Sequence, residues 1–361
     1  MPELVRMAHG SGGRLMHRLI EEVFLPRFGA PPGQAGDDAA EIELGAGRCA
    51  FTTDSFVVRP LFFPGGDIGR LAVCGTVNDL AAKGARAEFL AVAFVLEEGL
   101  PLETLARVAD SLAAAAREAG VRIVTGDTKV VERGAADGLY ITTSGVGRIC
   151  EGVSVSGANA RPGDAVILSG TAAEHGVAVM NARHALGLGE AELQSDCAPL
   201  GEMVLAGCMA VSVPRASRPP LAGRQSAKTK AGGTPAVPGV HALRDPTRGG
   251  VATALAEIAQ QSQVRIVIEE RAVPLRLPVQ RACELLGLDP LYVASEGRML
   301  ACLPAPQQEA FVGALRAHPL GREAAVIGRV EAGPAGVVLL TASGGQRPLR
   351  MLEGDPLPRI C

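Results

Sequence analysis

The stretch IGRLAVCGTVNDLAAKGARAEFLAVAFVLE (68–97) reads as two elements. Residues 68–85 predict a helix, and the unbroken apolar run at 88–97 predicts a buried strand. The neighbouring segments extend this alternation. CAFTTDSFVV (49–58) is β-branched and aromatic and predicts a strand. PLETLARVADSLAAAAREAG (101–120) opens on proline and stops at glycine, the punctuation expected of a helix. VRIVTGD (121–127) and GLYITTSGVGRI (138–149) predict further strands, and Leu15, Leu19, Ile20 and Val23 fall on one face of a helix over 14–28. The first half therefore predicts a mixed α/β (α+β) domain.

ARPGDAVILSG (160–170) marks a boundary and a new strand. Helices are expected at 174–187, 200–211, 250–262 and 279–286, and strands at 264–269, near 291–303 and at 324–330. This divides the chain into an N-terminal domain (1–158), a C-terminal α/β domain (159–350) and a mobile tail (351–361). PRASRPPLAGRQSAKTKAGGTPAVPG (214–239) is rich in Pro, Gly and basic residues and has few large apolar groups. Such a segment buries too little surface to offset its ordering entropy, so it predicts a flexible insertion.

The chain has 361 residues, 47% of them hydrophobic, enough for two sizeable cores. A net charge of −3 with no basic stripe argues against a nucleic-acid partner. MPELVRMAHGSGG (1–13) has no secretory h-region, and no apolar run reaches membrane-spanning length, so a cytoplasmic protein is expected. The eight cysteines contain no CxxC pair or zinc-like spacing, and seven read as packing or surface thiols. The eighth, Cys361, closes GDPLPRIC (354–361), where Pro356 and Pro358 favour an extended tether.

Carboxylates carry most of the chemical signal. Asp37 and Asp38 lie in GDDAA, Asp54 in TTDSF, Asp79 in TVNDLAAKGA, Asp127 in TGDTK and Asp245 in RDPTRGG. Several follow a strand or adjoin Gly or Thr, where backbone can approach a ligand. Magnesium takes such oxygen ligands and joins a few carboxylates to substrate phosphates; a single aspartate in such a setting is also an ordinary turn residue. HGSGGR (9–14) offers backbone N–H groups before a helix, a weak phosphate-binding signal. No Walker sequence or Rossmann fingerprint is present. Lys129, His241 and Glu296 complete the polar candidates, as base, phosphate contact or relay.

Together GDDAA, TTDSFVV, GTVNDLAAKGA, TGDTKVV and HALRDPTRGG resemble the ATP-binding superfamily of aminoimidazole ribonucleotide synthetase and selenophosphate synthetase, and specifically its hydrogenase-maturation branch. The likeness runs in order over nearly the whole chain, through the terminal PRIC; the main departure is the 214–239 insertion. It implies a two-domain α/β subunit whose N-terminal domain forms a joint β-barrel across a homodimer. It places ATP near Gly10, Ser11, Gly12, Gly13, Asp54, Asn78, Asp79, Gly126, Asp127 and Thr128, and Mg2+ on Asp37, Asp38, Asp79 and Asp245. It further implies that a carbamoyltransferase, HypF, loads a carbamoyl group on the Cys361 sulfur. ATP-dependent dehydration would give a thiocyanate, whose cyano group passes to iron on a HypC–HypD complex for a Ni–Fe hydrogenase. Lys129 is the base expected nearest the amide nitrogen, with His241 or Glu296 as relay; alternatively Lys129 only holds charge and a carboxylate takes the proton. The competing readings are phosphoryl transfer of the selenophosphate-synthetase kind and a non-enzymatic cyanide or metal carrier.

Overall fold

A computed structural model describes residues 14–19, 21, 40–44, 47–189, 191–211, 239–352, 354 and 357–361. Gly10, Ser11, Gly12, Gly13, Asp37, Asp38 and nearly all of the 214–239 insertion lie outside the described residues.

After helix α1 (Arg14–Leu19), the first unit is built on strands β1 (Ala40–Leu44) and β2 (Gly47–Phe56), with a small ribbon, β3 (Phe62–Phe63) and β4 (Gly66–Asp67). Helix α2 (Ile68–Ala82) leads into β5 (Ala85–Glu97), and helix α3 (Leu102–Glu118) into β6 (Arg122–Val131) and β7 (Leu139–Ile149). The strand order is β1-β2-β7-β5-β6. Only β5 and β6 pair in parallel, because only they are joined by a helical crossover long enough to return the chain in the same direction. The α3 crossover buries Val108, Leu112, Ala115 and Ala116, a single stripe at helical spacing. Helix α2 instead is buried on nearly all sides. It packs on β2, β5 and β7, against α3, and against the second unit.

The second unit contains β8 (Asp164–Leu168), α4 (Glu174–His184), α5 (Gly201–Val211), β9 (Ala242–Arg244), α6 (Gly250–Ser262) and β10 (Arg265–Glu269). Then come α7 (Leu277–Leu286), β11 (Leu300–Pro304), α8 (Gln308–Arg316), β12 (Ala325–Glu331), β13 (Gly336–Leu340) and β14 (Gln346–Leu349). The sheet order is β14-β13-β10-β12-β8-β11-β9. Central β8 shows why both faces are covered: Val166 and Leu168 join the core with α6, and Ile167 joins Met203, Phe311 and Leu315 of α5 and α8. Successive residues point to opposite faces, so a strand buried throughout needs helices on each.

Two differences from the sequence reading stand out. The strand expected near 291–303 occupies only Leu300–Pro304, and Pro290–Tyr292 is a 3-10 turn. In the intervening segment, backbone groups bond outside the ladder: Ser295 N donates to Pro246 O, and Glu296 O accepts from the Asn78 amide. Strands β13 and β14 were not anticipated. Among the described residues the first sheet ends at strands β1 and β6 and does not close within one chain; the barrel expected from the sequence is one made by two chains.

Asp67 caps α2, its Oδ1 accepting from Gly69 N (2.7 Å) and Arg70 N (3.1 Å). Asp67→Ala is expected to cost about 1 kcal/mol, read as a shifted urea midpoint with an unchanged slope. An unchanged midpoint would show that the cap contributes nothing.

Candidate functional site

The site lies where β2, α2 and the second unit meet. Two aspartates from different elements are held by threonines from the facing element. Thr76 of α2 donates to Asp54 of β2 (3.0 Å), and Thr52 of β2 donates to Asp79 of α2 (2.8 Å). Thr76 also shares a hydrogen bond with Thr143 of β7 (2.5 Å). This crossed arrangement fixes both carboxyl groups and sets them side by side.

From the second unit come Asp245 and Glu296, both buried, and Arg248, whose residue surface is exposed. The RGG turn makes this possible. Gly249 and Gly250 have φ of 78° and 61°, in the left-handed region that glycine tolerates. A Cβ on Gly250 would also lie 2.6 Å from the Leu291 oxygen and 2.7 Å from that of Val293. The motif thus brings Arg248 against the segment that carries Glu296. Cys361 first, then Asp54, Glu296 and Asp79, hold the Arg248 guanidinium above its usual pKa. Burial, with Asp245 and Asp196 nearby, pushes Glu296 well above the usual carboxyl range, and its Oε1 has no hydrogen-bond partner. Asp54 is raised as well, chiefly by burial, with the Thr76 bond opposing.

The tail is docked onto this cluster. Val57 N donates to Cys361 O and Arg59 N to Arg359 O, each at 3.3 Å. Arg183 donates to Pro358 O (2.6 Å) and to Arg359 O, and His175 Nε2 bonds Ile360 O at 3.0 Å. Arg359 reaches Val57 O (2.9 Å) and Asp137 (2.6 Å). These bonds hold Arg359 at φ 56°, a conformation that costs a non-glycine residue about 1–2 kcal/mol. Leu357 and Ile360 are buried, whereas Cys361 is half-buried and in no disulfide.

Asp54, Asp79, Asp245, Glu296 and Cys361 therefore gather at one place. Other expected residues stand elsewhere. Asn78 is buried and fully used by protein: its amide donates to Ala198 O and Glu296 O, each at 3.1 Å, and its oxygen accepts from Leu200 N at 2.7 Å. It clasps the two units together. His241 pairs with Asp164 at 2.8 Å, before β9, whereas Asp245 follows β9. That is about 13 Å along extended chain, so His241 stands apart from Asp245. Gly126, Asp127, Thr128 and Lys129 lie on edge strand β6, three strand spacings or about 14 Å across the sheet from β2. There Lys129 pairs with Asp127 at 3.2 Å, their side chains 72% and 63% exposed. One chain thus gives Lys129 neither contact with Cys361 nor the burial that a lysine base requires. Arg248 lay within a motif singled out above, but its role shows only once the turn folds. His175 and Arg183 carried no sequence signal, because they serve a tail some 180 residues away.

The family model for AIR synthase related protein matches residues 36–149 with its N-terminal domain and 161–341 with its C-terminal domain. The carbamoyl dehydratase HypE of Azotobacter vinelandii is 49% identical over 99% of this chain and 97% of its own. The chain belongs to the HypE family of carbamoyl dehydratases. A solved HypE structure in complex with ATP matches with a TM-score of 0.78 at 45% identity, over 99% of this chain and all of that one. HypE in a HypE–HypF complex matches with a TM-score of 0.80 at 42% identity, over 92% and 99% of the two chains. These HypE relatives share the chain's whole length, both domains included.

Glu296 offers a test of the electrostatics. Its folded-state value is raised above the ordinary 4.5. Its contribution to stability is therefore fully present below about pH 4.5 and lost as pH rises through the raised value. Glu296→Gln has no such loss, so its melting temperature should gain on the parent's from about pH 5 to about pH 8. A constant difference across that range would mean that Glu296 ionises normally.

Proposed function

We infer that this chain is an ATP-dependent carbamoyl dehydratase acting on a carbamoyl group carried by its own Cys361. The supporting observation is the docked tail, which delivers Cys361 to Arg248, to half-buried Asp54 and Asp79, and to buried Asp245 and Glu296. Neither a selenophosphate-forming enzyme nor a passive carrier needs a terminal thiol docked over such a cluster.

The overall change is thiocarboxamide plus ATP to thiocyanate, ADP, phosphate and a proton. The carbamoyl oxygen takes the γ-phosphoryl group, because an amide oxygen leaves poorly and phosphate leaves well. Loss of the amide-nitrogen protons then forms the carbon–nitrogen triple bond as the C–O bond breaks. Arg248 balances anionic charge at the docked tail. Glu296, whose raised affinity for protons suits a base working near neutral pH, takes a nitrogen proton once its own has been displaced. This is the carboxylate alternative of the sequence reading.

Among the described residues no three His, Cys, Asp or Glu side chains already form a metal site. The donors present nonetheless fit magnesium, which binds hard oxygens through one or two carboxylates and completes its shell with waters and phosphates. Asp79, Asp54 and Asp245 would hold it, with Asp37 and Asp38 as the remaining candidates. It would neutralise phosphate charge during transfer.

A second copy fits the first sheet. β6 is exposed along nearly its whole length, and Phe51, Ile123, Val124 and Val130 present apolar surface. A homodimer closing that sheet would bury Gly126–Lys129 and offer one subunit's Asp127 and Lys129 to the other's site. A HypF-like carbamoyltransferase is the proposed carbamoyl donor and a HypC–HypD complex the proposed acceptor, in the cytoplasm. No helix among the described residues is long and apolar enough to cross a membrane.

Intact mass spectrometry tests this. With carbamoyltransferase, carbamoyl phosphate and ATP, the chain should gain a carbamoyl group and then lose one water. Cys361→Ala should show neither change, and modification of that variant would refute the terminal-thiol mechanism. Asp79→Asn should still accept the carbamoyl group but dehydrate it about 10²-fold more slowly.

A further inference from the structure

His175 lies in the first turn of α4, is fully buried, and is hydrogen-bonded at both ring nitrogens. Nε2 meets the carbonyl oxygen of Ile360 at 3.0 Å, and Nδ1 meets the hydroxyl of Ser195 at 2.8 Å. A carbonyl can only accept, so Nε2 carries the proton and Nδ1 accepts from Ser195. Burial lowers the His175 pKa to about 4, which keeps the ring neutral and this tautomer fixed at neutral pH.

Ser195 begins a segment that touches every moving part of the proposed reaction. Its N–H donates to Pro64 O (2.8 Å), and its hydroxyl accepts from Cys197 N (3.1 Å). Asp196 Oδ1 accepts from the backbone N–H of Glu296 at 3.0 Å. Residues 197–200 then run along one face of α2. Arg70 Nε donates to Cys197 O at 2.9 Å, and Asn78 binds Ala198 and Leu200. Arg70, Cys74 and Asn78 are spaced four apart and so share that face, and Asp79 follows on the same helix.

We propose that His175 and Ser195 are positioning residues that form a latch, holding the Ile360 carbonyl only when segment 195–200 braces both Glu296 and the helix that carries Asp79. Docking of Cys361 and alignment of the site are then one event. An undocked tail leaves a buried N–H without an acceptor and loosens the brace. This rests on the reading that the carbamoyl group is dehydrated on Cys361.

Three rates separate the latch from a merely structural role: alkylation of Cys361 followed by peptide mass spectrometry, carbamoyl transfer by the carbamoyltransferase, and ATP-driven dehydration of the pre-carbamoylated chain. His175→Phe keeps the ring volume and removes both hydrogen bonds. It should raise Cys361 alkylation and lower dehydration, each about tenfold, while carbamoyl transfer stays equal or becomes faster. Ser195→Ala leaves His175 facing the tail and cuts its link to the segment; it should show the same split, and it carries the test if His175→Phe does not fold. Unchanged alkylation and dehydration in both variants, or equal loss of transfer and dehydration, would overturn the latch. Wild-type dehydration in Ser195→Ala would overturn the coupling. Alkylation needs no turnover: if the parent chain never dehydrates its tail, the functional reading fails and the alkylation difference still decides the latch.

Discussion

The structure depends on burying one helix, Ile68–Ala82, from every side. Its sequence is apolar nearly all round, so it cannot lie on a sheet with one face in water. One side packs on the first sheet, where Thr76 and Asp79 exchange hydrogen bonds with the strand that holds Asp54 and Thr52. Another side is covered by the second unit, with Arg70 and Asn78 bonding the 197–200 segment. The packing that makes the helix stable is also what brings carboxyl groups from two units together. A change that separated the units would expose the helix and dissolve the site in one step.

The acidic cluster has its own constraint. Asp54, Asp79, Asp245 and Glu296 gather beside Arg248, so several like charges crowd one place. The molecule answers by raising proton affinity at Glu296 and Asp54, through burial first and neighbouring charge second. Burying a carboxylate costs more than burying its protonated form, so both groups hold a proton to higher pH than an exposed carboxyl does, until another cation or a polar substrate changes their surroundings.

Most of the fold was legible in local pattern. The 68–97 stretch, the crossover helix and its flanking strands follow from apolar spacing and from Pro and Gly punctuation, which are short-range signals. The misreadings occur where long-range bonding overrides propensity. Residues 291–299 are apolar enough for a strand, but Pro246 O and Asn78 capture their backbone groups. In the site, the aspartates were legible because a buried carboxyl beside Thr or Gly is locally unusual. The motif position of Asn78 says nothing about Ala198 and Leu200, to which it bonds. The pairing of His241 with Asp164 is equally hidden, because Asp164 is distant in sequence. Arg183 and His175 look like ordinary helix residues until the tail folds onto them.

How the tail is recognised bears on the order of events. Val57, Arg59, His175 and Arg183 all bind main-chain carbonyls, and Arg359, Leu357 and Ile360 are held by their side chains as well. Each hydrogen bond contributes about 1 kcal/mol net, and each ordered residue costs about 1–2 kcal/mol. The bonds therefore roughly offset the ordering cost, and burial of two aliphatic side chains tips the tail inward. A dock so balanced can release as well as hold. The grip on main-chain carbonyls runs up to that of Cys361 itself. One dock can then receive a bare thiol, a carbamoylated one and a cyanylated one, and discrimination among them falls to Arg248, Glu296 and the aspartates beneath.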